Sequence, residues 1–216
     1  MNEPKFNLNG FTLDEIKNSG FNIVAAVWIE DNPDADEEKK SKFVKKFFHA
    51  YRNRPSLKKG SPSKTIPDPL VAEIVAIRIE NNKYNNKEIT KLHRVAMASE
   101  NLIGALLEEY IANNVIDKGW ANCWGSTILA TDFVSVRGER LQIKNKTNTE
   151  NSSSNKIRAG TNIEVWHRFN ANTGETYWQK LNATIGQDCN LSEDAFREFA
   201  IKAIKNNPEM LNLDGL

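Results

Sequence analysis

The chain has 216 residues, of which 39% are hydrophobic and 26% charged, with a net charge of +1. That length can bury a substantial core without disulfides, and Cys123 and Cys189 form neither a metal-ligand cluster nor a disulfide framework. No apolar run approaches the roughly 20 residues that span a bilayer, and "MNEPKFNLNG" lacks a basic-then-apolar leader, so the reading is a cytoplasmic protein without a membrane segment.

In chain order, residues 11–19 read as a short helix. "FNIVAAVWIE", 21–30, is apolar throughout, and periodicity does not separate a strand from a buried helix. Residues 36–53 look helical, and 54–69, "RPSLKKGSPSKTIPDP", is a Pro/Gly/Ser-dense loop. Pro69 suits the first position of a helix over about 69–80. After the polar break "NNKYNNKE" a long helix runs from about 87 to 114. Strands are expected within "WANCWGSTILATDFVSV" (120–136), "RLQIKNK" (140–146), "GTNIEVWHRFN" (160–170) and "ETYWQKLNATIG" (175–186). Ser192 is an N-cap with Glu193 and Asp194 in the first turn of a final helix, about 192–206, which Asn207-Pro208 ends. Helices, a strand group, then a helix give an α/β (α+β) fold, a mixed central β-sheet flanked by helices.

Charge is unevenly spread. Residues 30–38, "EDNPDADEE", are acidic, whereas 39–64 carry ten Lys or Arg and no acid. Phe43, Phe47, Phe48 and Tyr51 interrupt that basic run at spacings that fit an amphipathic helix. Its basic face is either a solvated surface or a phosphate-contacting one. His49, His93 and His167 are too scattered for a metal triad, and Trp120, Trp124, Trp166 and Trp178 read as core or dimer-interface residues rather than stacking platforms.

"TDFVSVRGERLQIKNK", 131–146, reads as a hairpin. Side chains alternate along a strand, so Gln142 and Lys144 share a face. Asp132 joins them only if opposed residues have numbers with an even sum. A three-residue loop, 137–139, with Gly138 left-handed, achieves this and sets Asp132 across from Lys144 and Val134 across from Gln142. An acid, an amide and an amine so gathered suit phosphodiester hydrolysis. The acid and an amide oxygen can hold a hard divalent cation, the Ile143 carbonyl can reach the same ion, and the ammonium can orient water or stabilise developing charge.

Asp132, nine residues, then Gln142-Ile143-Lys144 resembles the PD-(D/E)xK nuclease superfamily, with glutamine in place of the usual glutamate and Thr131 in place of the proline. The "PD" pairs at Pro33-Asp34 and Pro67-Asp68 have no strand partner and are decoys. Members often offer a glutamate from a preceding helix in a Gly-x-x-x-Glu setting. Gly104 and Glu108 have that spacing, and Glu100, Gly104 and Glu108 lie on one helical stripe. The resemblance therefore implies a restriction-endonuclease-like fold with Asp132, Gln142, Lys144 and Glu108 as catalytic residues. Asp132, Gln142, Ile143 and Glu100 are implied as Mg²⁺ ligands, Glu100 standing as substitute for Glu108. The plain alternative for Glu108 and Glu109 is solvent exposure at the edge of the apolar helix face.

Downstream lies "NKTNTENSSSNKIR", 145–158, rich in short polar side chains beside Lys156 and Arg158. A flexible polar loop is one reading; contact with phosphates or base edges is the other. With "LIGALLEEYI", "GSTILATDFVSV" and "EVWHRF", this run resembles SinI-like type II restriction endonucleases over roughly 95–170. That resemblance implies a bacterial, homodimeric, Mg²⁺-dependent endonuclease cutting double-stranded DNA at a short near-palindromic site of the GGWCC type. Asn145, Lys146, Asn151, Ser152, Ser153, Ser154, Lys156 and Arg158 would contact DNA. Residues 1–216 then form a single nuclease domain: a helical part to about 85, a catalytic core over about 87–190, and the final helix. A structure-selective repair or recombination nuclease, and an inactive DNA-binding module, stand as alternatives.

Overall fold

The computed structural model describes residues 6–60, 69–79, 85–147, 160–186 and 188–212. Reciprocal capping sets the first helix. The Thr12 hydroxyl accepts from the Glu15 N–H and the Glu15 carboxylate from the Thr12 N–H, which opens α1 (Leu13–Ser19). Gly20, at φ 70°, ends α1 and begins α2 (Phe21–Asp31). The ambiguous apolar run is thus a helix, with Phe21, Val24, Ala25, Val27 and Trp28 in the core.

The Asp36 carboxylate caps α3 (Glu37–Arg52), whose basic face stays in water while Phe43, Val44, Phe47 and Phe48 are buried. Phe6, Phe21, Trp28 and Phe43 form a cluster of edge and stacked ring pairs beneath it. α4 (Pro69–Ile79) packs on the first half of α5 (Asn86–Val115). The second half of α5 supplies Leu106, Leu107, Ile111, Ala112 and Val115 to the core and packs on the sheet.

The sheet has four strands in the order β1 (Trp120–Asn122), β2 (Phe133–Ser135), β3 (Arg140–Lys146), β4 (Ile163–Phe169). β1–β2 and β2–β3 are antiparallel, and β3–β4 is parallel, so the sheet is mixed and flanked by helices. Phe133 pairs with Leu141 and Val134 with Arg140. Both sums are even, but the register lies two residues from the expected one, because the three-residue loop is 136–138. Ser135 N–H donates to the Glu139 carbonyl across that loop, and Gly138 is left-handed at φ 79°.

One expected strand is a helix. Residues 178–185 form α6 (Trp178–Ile185), because Trp178, Leu181 and Ile185 recur at helical spacing and are all buried. The Trp178 indole donates to Glu193 at the start of α7 (Glu193–Asn206), which the Ser192 hydroxyl caps.

Gly20 is the tightest joint between the helical layer and the sheet. A Cβ there would stand 2.4 Å from the Ala121 Cβ on β1. Gly20→Ala combines that clash with left-handed backbone and is expected to cost about 2–4 kcal/mol in urea unfolding; loss below about 1 kcal/mol would show that the joint relaxes freely.

Candidate active site

The hairpin fixes the first acid. Asp132 sits just before β2, where its N–H donates to the Leu141 carbonyl at 3.0 Å. Its Oδ2 accepts from the Ile143 N–H at 2.7 Å, which ties one carboxylate oxygen to β3. The β2–β3 pairing ends at Phe133 and Leu141, and because the Asp132 N–H reaches that same Leu141 carbonyl, Asp132 is not the ladder partner of Lys144. Alternation on β3 keeps Lys144 on the same side of the sheet as Gln142.

The second acid comes from α5. Glu108, Asp132 and Lys144 line one cleft of about 1130 Å³, together with Gly104, Asn122 and Ile143. Burial, and then the neighbouring charge of Asp132, push the Glu108 carboxyl well above the usual carboxylate range, while Asn122 and Lys144 oppose that rise. Asp132 is also raised, by burial, against the pull of the Ile143 N–H and Lys144. Asn122 is 4% exposed, and its amide nitrogen lacks a hydrogen-bond partner of good geometry. The spot is thus desolvated, doubly acidic and incompletely satisfied.

That donor set fits the Mg²⁺ implied by the sequence. A hard divalent cation would relieve the charge that Asp132 imposes on the buried Glu108, and both side chains offer it carboxylate oxygens. Glu108 and Asp132 would hold it, and Ile143 lines the same cleft. Among the described residues no group of three His, Cys, Asp or Glu comes close enough to hold a metal ion, which leaves the remaining positions to water and phosphate.

Other expected residues fall differently. Glu100 stands at the exposed mouth of the cleft, paired with Lys146 at 2.6 Å, rather than beside Asp132. Glu108 is therefore the helix carboxylate that meets the hairpin acid. Gln142 does not line the cleft. Glu109 is 1% exposed, not solvated. Asn145 and Lys146 line the cleft; Asn151, Ser152, Ser153, Ser154, Lys156 and Arg158 lie outside the described residues.

A basic stretch after α3 also lines the cleft. His49 and Asn53 from the end of α3, and Arg54, Lys58 and Lys59 from the loop after it, line the same cleft as the acids. The basic composition of 39–64 hinted at them, but nothing local in the sequence shows which lysines turn inward. No helix among the described residues is long and apolar enough to cross a membrane.

The chain has relatives among known proteins. The sequence profile of the SinI restriction endonuclease family matches residues 19–206. The chain is similar to the type II restriction enzyme SinI of Salmonella infantis, with 38% identity over 148 residues, 66% of this chain and 64% of the relative. It is also similar to the type II restriction enzyme Eco47I of Escherichia coli, with 34% identity over 168 residues, 76% of this chain and 71% of that enzyme. The chain thus matches just under two-thirds of the length of the SinI enzyme.

Proposed function

Since the chain belongs to the SinI restriction endonuclease family, we propose that it is a cytoplasmic type II restriction endonuclease that hydrolyses phosphodiester bonds of double-stranded DNA with Mg²⁺. The observation that carries this reading is the meeting of Glu108, Asp132 and Lys144 in one cleft, drawn from a helix, the residue before β2, and β3. In this reading 1–216 act as one nuclease domain, and the target is a short near-palindromic site of the GGWCC type.

Hydrolysis forms one bond from water oxygen to phosphorus and breaks the bond to the leaving sugar oxygen. Bound Mg²⁺ supplies charge neutralisation at the phosphate and lowers the cost of ionising water. Glu108 and Asp132 supply its negative donors. The bond from Ile143 N–H holds the Asp132 carboxylate in one orientation before substrate arrives, so little ordering is left for the bound state. Lys144 places an ammonium beside both acids, where it offsets the negative charge that builds on the phosphate oxygens and can steer the water.

Cutting both strands of a symmetric site calls for two copies related by a two-fold axis. Leu70, Ile74 and Ile77 recur at i, i+4 and i+7 on α4 and are 54%, 56% and 77% exposed. With Val71, Leu92 and Met97 they leave roughly 600 Å² of apolar side chain per copy in water, so a two-fold pair would cover about 1,200 Å², the lower edge of specific interfaces. This stripe supports a homodimer through the α4–α5 arm.

The deciding experiment digests a sequenced plasmid with purified protein and Mg²⁺. Discrete fragments whose ends share one near-palindromic sequence are the expected result. Intact plasmid at all enzyme concentrations would leave only DNA binding, and nicking confined to branched or damaged DNA would replace restriction with repair.

A further inference from the structure

The second wall of the cleft is built, not draped. The Glu109 carboxylate is buried, and it accepts from the Ser56 N–H at 2.8 Å and from the Ser56 hydroxyl. Arg54 Nε lies 3.3 Å from the same carboxylate, with its guanidinium 5.1 Å from the Tyr51 ring. From the other side, Asn207 donates its amide to the carbonyls of both Ser56 and Lys58 at 3.2 Å. The Gly60 N–H donates to the Glu209 carbonyl at 2.9 Å, and Asn212 donates to the Gly60 carbonyl at 2.9 Å. Even the glycine is required, since a Cβ at position 60 would stand 2.0 Å from the Met210 carbonyl oxygen.

A surface loop with no task rarely receives a fully buried carboxylate and three anchors from the chain's far end. Burying an acid costs several kcal/mol unless its partners compensate, and here they compensate by holding residues 54–60 still. What that immobility presents is basic. Lys58 and Lys59 are exposed and, with Asn53, line the cleft that the acids share. Glu108 and Glu109 are neighbours on α5, and one reaches the hairpin acid while the other reaches Ser56. Two adjacent positions on one helix, about 100° apart, therefore tie the acid cluster to the Ser56 loop.

We propose that residues 54–60 are a fixed strap that grips DNA backbone phosphates through Lys58 and Lys59, opposite the acids. Glu109 is its positioning residue, acting through Ser56 and Arg54 without touching DNA. The proposal rests on the nuclease reading for the identity of the ligand, a duplex backbone. The alternating acid and amine environments of the two walls divide the work: the hairpin wall handles the scissile phosphate, and the strap holds its neighbours in register.

The test measures binding of a labelled random-sequence duplex by anisotropy, in Ca²⁺, over a range of salt concentrations. Backbone contacts are sequence-independent and each contributes about 0.9 to the slope of log K against log salt. Lys58→Ala with Lys59→Ala should lower that slope by about 1.8. Glu109→Gln should lower it too, while single-turnover cleavage at saturating enzyme stays within about threefold, because the cutting groups are untouched. Should Glu109→Gln fail to fold, Ser56→Ala, which removes one of the same anchors, is read instead. A wild-type slope in the lysine variant overturns the strap, as does a wild-type protein that binds no duplex. A wild-type slope in the Glu109 variant overturns the positioning role. Plasmid cleavage in Mg²⁺ on the same preparations reports the nuclease reading separately: cleavage with an unaltered slope sinks the strap alone.

Discussion

Replacing Lys144 with alanine is expected to lower the single-turnover cleavage rate about 10²–10³-fold while leaving duplex affinity in Ca²⁺ within about threefold. The split follows from where the ammonium stands. Lys144 shares a desolvated spot with Glu108 and Asp132, and both acids feel its charge. In such surroundings one charge is worth far more to a developing oxyanion than it would be in water. On the proposed reading its contribution to overall duplex affinity is small by comparison, since Lys58, Lys59 and Lys146 line the same cleft. Lys144→Arg is a stricter probe, because a planar guanidinium keeps the charge but not the point geometry. Cleavage by Lys144→Ala at the normal rate would remove the amine from the mechanism and, with it, the assignment of this cleft.

Glu108→Gln should abolish cleavage, by about 10² or more, and yet stabilise the fold. The sign follows from proton affinity. Burial and the Asp132 charge raise the Glu108 carboxyl in the native state, so the folded chain holds a proton that the unfolded chain releases at ordinary carboxylate pH. Stability is greatest below the unfolded value and falls as pH rises through the native one. The metal-free wild type should therefore lose melting temperature as pH rises from the unfolded carboxylate value of 4.5 to the native value of about 8. Glu108→Gln should lack most of that decline and melt about 3–6 °C higher at the alkaline end. Calcium added to the wild type should restore much of the difference. Differential scanning calorimetry in a chelator reads all three, and a variant that melts below wild type at pH 9 would show that the two acids do not strain one another.

The strand segments and most helices were legible because their signals are local, whereas the strand order was not. Thr12, Asp36 and Ser192 announce helix starts, and Val134, Leu141 and Ile143 alternate as strand residues must. The parity of the hairpin was legible too, since Gly138 and the need for a shared face leave few loops. Its register was not: shifting the loop by one residue moves every partner by two while preserving parity. Residues 175–186 misled because Tyr177, Trp178 and Thr184 favour strands locally, whereas burial of Trp178, Leu181 and Ile185 together selects a helix. In the site, Asp132 and Lys144 could be proposed from hairpin parity, and Glu108 from the resemblance to the nuclease superfamily. Asn122, Lys58 and Lys59 could not, because their membership depends on contacts between segments far apart in the chain. Glu109 beside Glu108 is the sharpest case: identical side chains, one in the catalytic cleft and one sealed against a serine, distinguished only by about 100° of helix rotation.

That rotation sets what kinds of change α5 can absorb. A point substitution anywhere on the helix alters one contact. Insertion or deletion of one residue ahead of Glu108 would instead swing the following side chains by roughly 100°, pointing both acids away from their stations at once. Variants of this chain should therefore keep the count of residues between 100 and 109 constant and retain Glu108 and Glu109, while exposed positions such as Asn101 change.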